Sequence, residues 1–137
     1  MKDLSAYAAP TLDINLGRGR RVSITPPSAE DGAALGALVT LGAAVATNDV
    51  NDVVKAMANK LLEDYDDPAD LARLALGDAY DYMVEQGWPG KDIETVRLYS
   101  TYYWTFGEET ADQILSSKER ATSGKGQRRG RNGRRTA

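Results

Sequence analysis

Three observations predict a mostly α-helical chain with a small N-terminal β-hairpin packed on a bundle of four to five helices. Residues 11–25 alternate apolar and polar side chains around a Gly-x-Gly turn. Beyond Pro27 the apolar residues recur at helical spacing, and residues suited to capping stand where those stretches begin.

The hairpin comes first. Thr11–Leu16 places Leu12, Ile14 and Leu16 on one face, and Arg21–Thr25 places Val22 and Ile24 beside them. Gly17-Arg-Gly-Arg20 supplies a turn with two residues free to take positive φ. A Gly-x-Gly could also cradle phosphate, but the rest of either nucleotide fingerprint is missing. Two strands are marginal alone, so a helix must cover the apolar face. Residues 1–10 read as a loosely docked leader, in which Leu4, Tyr7 and Ala8 have the spacing of a short helical turn.

Pro26-Pro27 ends the second strand, and Ser28 with Asp31 resembles a capping box. Leu35, Leu38, Gly42 and Val45 mark the first helical stripe. Gly32, Gly36 and Gly42 each cost roughly 1 kcal/mol against Ala in a helix. They predict either close helix–helix approach or a surface that orders fully only on a partner. Thr47-Asn48-Asp49 breaks and caps, and Val50, Val53, Val54, Met57 and Leu61 form an amphipathic stripe to about Glu63.

Asp64-Tyr-Asp-Asp67 could attract a divalent cation, but it lacks the EF-hand ligand order. Asp67 capping a helix that starts at Pro68 is the better account. That helix is predicted over 68–86, with Leu71, Leu74, Ala75, Ala79, Tyr82 and Met83 on one face and Leu76 and Tyr80 on a second. Gly77 falls in its middle, admitting another backbone, and Asp78 beside it needs a donor. Gly87 stops the helix, Pro89 prevents a restart, and Trp88 should plug the corner. Asp92 is expected to cap the next helix, with Ile93, Val96, Ser100, Tyr103 and Trp104 inward and Tyr99, Tyr102 and Phe106 flanking. After Gly107, Ala111, Ile114 and Leu115 mark a short last helix to about Arg120. Six of the seven tyrosines, both tryptophans and the single phenylalanine lie between Tyr65 and Phe106, which predicts the packed centre there.

The 137 residues thus divide into a leader (1–10), one helical domain (11–121) that includes the hairpin, and a tail (122–137). The chain has no Cys and no His, which removes disulfides, thiolate zinc sites and the usual general base at neutral pH. No nucleophile–base pair or metal quartet is legible, so no catalytic, cofactor-binding or metal-ligating residue is assigned and no enzyme is expected. There is no run of 18 apolar residues, so no membrane span is expected either.

The net charge of −3 hides an asymmetry. Residues 122–137 carry Lys125, Arg128, Arg129, Arg131, Arg134 and Arg135 and no acid, whereas 1–121 hold 11 basic against 20 acidic residues. With no apolar residue larger than Ala, the tail is predicted to be disordered. It could bind polyanions without specificity, or pair with an acidic protein surface.

Four stretches in this order are similar to the small tail assembly chaperones of siphophages that infect Actinobacteria. They are Pro10-Thr-Leu-Asp-Ile-Asn-Leu16, Pro26-Pro27-Ser28-Ala29-Glu30, Leu76-Gly-Asp-Ala-Tyr-Asp-Tyr-Met83 running to Gly87-Trp-Pro89, and Tyr103-Trp104 with Gly107-Glu108 and Ala111. The resemblance covers residues 10–117 and leaves out the basic tail. It implies a non-catalytic helical protein of the infected cell's cytoplasm, absent from the mature virion. Its partners would be the tape measure protein, the major tail protein and a longer form of itself made by programmed frameshifting, with self-association open. A long helical tape measure exposes apolar stripes that a helical partner can cover.

The stripes before the aromatic centre are the candidate partner faces: Leu35, Leu38 and Val45 on the first helix, and Val50, Val54, Met57 and Leu61 on the second. Both are equally explained as core. Two other functions fit the sequence, a virion tail or connector component and a nucleic-acid-binding accessory protein acting through the tail. The acidic body opposes the second, because it repels phosphates within a Debye length.

Overall fold

A computed structural model of the protein describes residues 1–117. Strands β1 (Leu12–Asn15) and β2 (Arg21–Ile24) pair antiparallel and lie against a helical bundle. The helices are α1 (Ala29–Ala46), α2 (Asp52–Asp64), α3 (Pro68–Leu76), α4 (Asp78–Glu85), α5 (Gly90–Phe106) and α6 (108–117). The fold is therefore mostly α with a small N-terminal hairpin, as the patterning predicts. The leader holds one 3₁₀ turn at Ser5–Tyr7 and is exposed throughout. The end of the last predicted helix near Arg120 and the whole of the tail lie outside the described residues.

In the hairpin, Leu12 pairs with Ile24 and Ile14 with Val22, so their side chains share one face. The turn closes through Leu16 N–H to Arg20 O at 2.9 Å, while Asn15 Oδ1 accepts from Gly17 N–H at 2.8 Å. Gly17 and Gly19 take φ of 76° and 79°. Leu16 does not join the inner face; it lies beyond the end of β1, where the turn carries it out to solvent. The covering helix is α4, which packs on β2. Leu12, Val22 and Ile24 thereby join one core with Leu35, Leu74, Leu76, Met83 and Val96.

The caps at Ser28 and Asp67 form as the sequence implies. Ser28 Oγ accepts from Asp31 N–H at 3.1 Å, and Asp67 Oδ1 accepts from Ala69 N–H at 3.0 Å with Pro68 as the first helical residue. Gly87, at φ 71°, completes a Schellman closure in which Trp88 N–H reaches Met83 O at 3.0 Å. Two caps differ from expectation. Asn51, not Asn48 or Asp49, caps α2, with its Oδ1 2.9 Å from Val54 N. Val50 is consequently in the connection rather than on the helix. Helix α5 begins at Gly90 without a side-chain cap, and Asp92 in its first turn instead binds Arg20 at 2.6 Å. That pair ties the hairpin turn to the bundle.

The predicted helix 68–86 is two helices. Gly77 adopts φ 55° and ψ −136°, a combination that ends α3 and starts α4 in a new direction. Asp78 therefore sits exposed in a first turn and requires no buried donor. The change of phase also turns Tyr82 outward, at 46% exposure, while Ala79 and Met83 stay buried. Ending α3 removes its continuation, and the indole N–H of Trp104 on α5 donates to Ala75 O at 2.9 Å in the last turn. Arg73 spans the same break, reaching Asp70 on α3 and Asp81 on α4 at 2.9 Å each. Hydrogen bonding from Arg73 holds the Asp81 carboxyl below its ordinary range.

Along α5, Val96, Ser100 and Thr101 are buried, while Phe106 is 53% exposed. Tyr99 donates to Asp112 Oδ1 at 2.6 Å, joining α5 to α6, and burial together with that bond pushes its hydroxyl up. Ser100 is the exception in this ordered set. Its Oγ is fully buried and has no hydrogen-bond partner among the described residues, whereas Thr101 and Thr105 each donate to a carbonyl four residues back. An orphaned buried hydroxyl costs roughly 1–3 kcal/mol. Ser100→Ala is thus expected to raise stability by about 1 kcal/mol, read as a higher denaturant midpoint at unchanged slope.

Candidate partner-binding surface

Helix α1 is the most apolar of the helices and is only partly covered, nine of its 18 residues being half-buried, Leu38, Val39 and Leu41 among them. Over its 18 residues only Leu35 is buried. Its mean hydropathy is 1.3, so by length and composition it could cross a membrane, although no uninterrupted apolar run marks it in the sequence. Core helices meet the same test, but they are mostly buried and this one is not.

The glycines of α1 sharpen the point. A Cβ placed on Gly32, Gly36 or Gly42 would meet nothing within 4 Å. Close helix–helix approach within the chain is therefore not what they serve. The apolar surface continues past the helix end, with Val45 at 67%, Val50 at 45% and Val53 at 71% exposure.

Beside α1 runs a groove of about 480 Å³, lined by Leu38, Pro68, Leu71, Ala72, Tyr80 and Ile93. It forms where α1, α3 and α5 converge. Arg97 and Glu94 edge it and are paired in bidentate fashion, one bond being Nε to Oε2 at 2.9 Å. A smaller notch, lined by Asp31, Asp64, Tyr65, Asp70 and Arg73, lies on the N-terminal part of α1. Burial, followed by Asp31, Glu30 and Asp64, raises the Tyr65 hydroxyl above its ordinary range.

The sequence-derived partner residues separate into three sets. Leu35 and Leu61 are at 1% and 8% exposure and belong to the interior, where their stripes meet the bundle. Leu38, Val54 and Met57 are half-buried, and Leu38 opens into the groove. Val45 and Val50 are exposed. The groove's other lining residues Leu71, Tyr80 and Ile93 carry no sequence signal beyond that of core or second-face helix positions. The polyanion-binding candidates Lys125, Arg128, Arg129, Arg131, Arg134 and Arg135 lie outside the described residues. Among the described residues, no group of three or more acids is placed to hold a metal ion.

No curated protein and no solved structure matches the chain. The family described as a domain of unknown function, DUF7426, matches residues 2–137, and the chain belongs to that family.

Proposed function

We propose that this protein is a non-catalytic tail assembly chaperone of an actinobacterial siphophage. In this reading it binds the tape measure protein in the host cytoplasm and keeps it soluble while the major tail protein polymerises around it. A longer, frameshifted form of the chain would share the task, and the chain would be absent from the finished virion. The observation that supports the reading is the incomplete cover of α1, about 27 Å of helix with one fully buried residue, half-buried Leu38, Val39 and Leu41 and a bare Val45, lying beside an apolar groove. An apolar surface of that kind suits capture of amphipathic helical segments.

The test is co-expression with the tape measure protein and measurement of the fraction that stays soluble. Leu38→Asp is expected to lower that fraction at least tenfold. Val45→Asp, at a 67% exposed site, supplies a second change in the same surface that leaves the core untouched. If both variants stay folded by circular dichroism and still retain the tape measure protein as the unaltered chain does, the surface is not the site.

A further inference from the structure

The hairpin has one open edge. The bond from Leu16 N–H to Arg20 O fixes the phase of the ladder, so Leu12 and Ile14 turn their backbone groups toward β2. The N–H and C=O of Asp13 and Asn15 therefore point away from β2, and none of the four has a hydrogen-bond partner among the described residues. The matching edge of β2 is bordered by α4, where Arg21 and Ser23 share a notch with Asp78 and Tyr82. On the β1 side Asp13, Asn15 and Leu16 are exposed, as is every residue of the leader. Free backbone groups in a row are a template for another strand.

We propose that the occupant of this edge is β1 of a second copy, paired antiparallel about a two-fold axis at Ile14. In that register Asp13 of each copy faces Asn15 of the other. Both residues present outward backbone groups, so the two pairs exchange main-chain hydrogen bonds in both directions. The side chains are complementary as well. Asn15 Oδ1 is occupied by Gly17 N–H at 2.8 Å, which leaves its amide nitrogen as the free donor. Asp13 Oδ1 accepts from Ser23 Oγ at 2.6 Å, which leaves Oδ2 as the free acceptor. On the opposite face Ile14 meets Ile14 and Leu12 meets Leu16, so that Leu16, 37% exposed, gains an apolar neighbour.

The neighbouring registers lack this match. One sets Asp13 against Asp13, a like-charge pair, and the other aligns Asp13 with Gly17, which offers its carboxylate no side-chain donor. Residues 11–25 carry three arginines and one aspartate, so the acidic excess of the body is not gathered at the contact. The experiment takes the full chain in sedimentation equilibrium, where a dimer with a dissociation constant on the order of 10–100 µM is expected for so short a contact. In the unaltered chain the amide protons of Asp13 and Asn15 should exchange several-fold more slowly in concentrated than in dilute samples. Asn15→Asp keeps an acceptor for Gly17 N–H but opposes two carboxylates in each pair, and should weaken the dimer about tenfold or more. Adding Asp13→Asn restores one acid and one amide per pair, and should bring affinity back to within about threefold.

A chain that stays monomeric up to about 1 mM overturns the proposal, and so does a dimer in which neither amide slows. Should a variant lose the circular dichroism of the folded chain, the amide exchange of the unaltered chain decides alone. With folded variants, a dimer indifferent to Asn15→Asp, or one that the double change fails to rescue, also overturns it. A dimer that dissociates on Val45→Asp and not on Asn15→Asp would assign the contact to α1 and overturn the edge pairing. None of these outcomes depends on capture of the tape measure protein.

Discussion

Replacing Leu76 with Ala should lower the unfolding free energy by about 3 kcal/mol, within the 2–5 kcal/mol range of buried leucine truncations. Leu76 is at 0% exposure and is the last residue of α3, in contact with the core shared by the hairpin, α1, α4 and α5. Its neighbours cannot collapse freely into the space. On one side stands a backbone fixed by Gly77, whose N–H binds Arg73 O at 2.8 Å, and on another Ala75 O is held by the Trp104 indole. For a domain of this size the loss corresponds to a melting temperature lower by roughly 12–20 °C. Thermal unfolding followed by far-ultraviolet circular dichroism measures it, and a drop of only a few degrees would mean that the core is looser than its burial implies.

The second large effect is at Gly77 itself. Gly77→Ala is expected to cost about 1–3 kcal/mol, although Ala is the better helix former. Space is not the cause: a Cβ there would meet only Thr25 Oγ1, at 3.9 Å. The cost comes from forcing an L side chain into φ 55° and ψ −136°. The variant's one escape is to run α3 into α4 as a continuous helix. That would rotate Ala79 and Met83 away from β2 and strip the hairpin of its cover, so it offers no relief. Gly36→Ala is the internal control. Its backbone is helical and its surroundings open, so the same substitution there should stabilise by roughly 1 kcal/mol. Opposite signs at the two glycines in chemical denaturation carry the argument; equal signs would sink it.

Gly77 also shows where the sequence stops being legible. Ser28, Asp67 and Gly87 announce themselves because a cap is a local event, settled by bonds to residues one to five positions away. The hairpin is legible for the same reason, since alternation and turn chemistry fix its register. A lone glycine within a helical stripe is locally neutral between kink and continuity; β2, more than 50 residues before it, and Trp104, whose indole binds Ala75 O across 29 residues of chain, decide it. Asp92 misleads in the same way, because its position fits a cap while its carboxylate serves Arg20 across the fold. The partner surface is half legible. Periodicity picks out Leu38 and Val45 as apolar positions of one helix, but it says nothing of what covers them. That Leu35 is buried while Val45 is bare depends on how much of α1 lies against α3 and α5, which no property of residues 29–46 encodes.

The placement of the hairpin on α4 has a consequence for synthesis. The strands leave the ribosome before the helix that covers them: Ala79 and Met83, which shield Ile24, follow about 55 residues later, and at roughly 5–20 residues per second the nascent chain carries Leu12, Val22 and Ile24 uncovered for several seconds. During that interval α1 and α2 emerge equally unshielded. The molecule proposed to guard another protein's apolar helices therefore passes through a stage with the same exposure, and its acidic 29–72 stretch supplies like-charge repulsion between neighbouring nascent chains while it lasts.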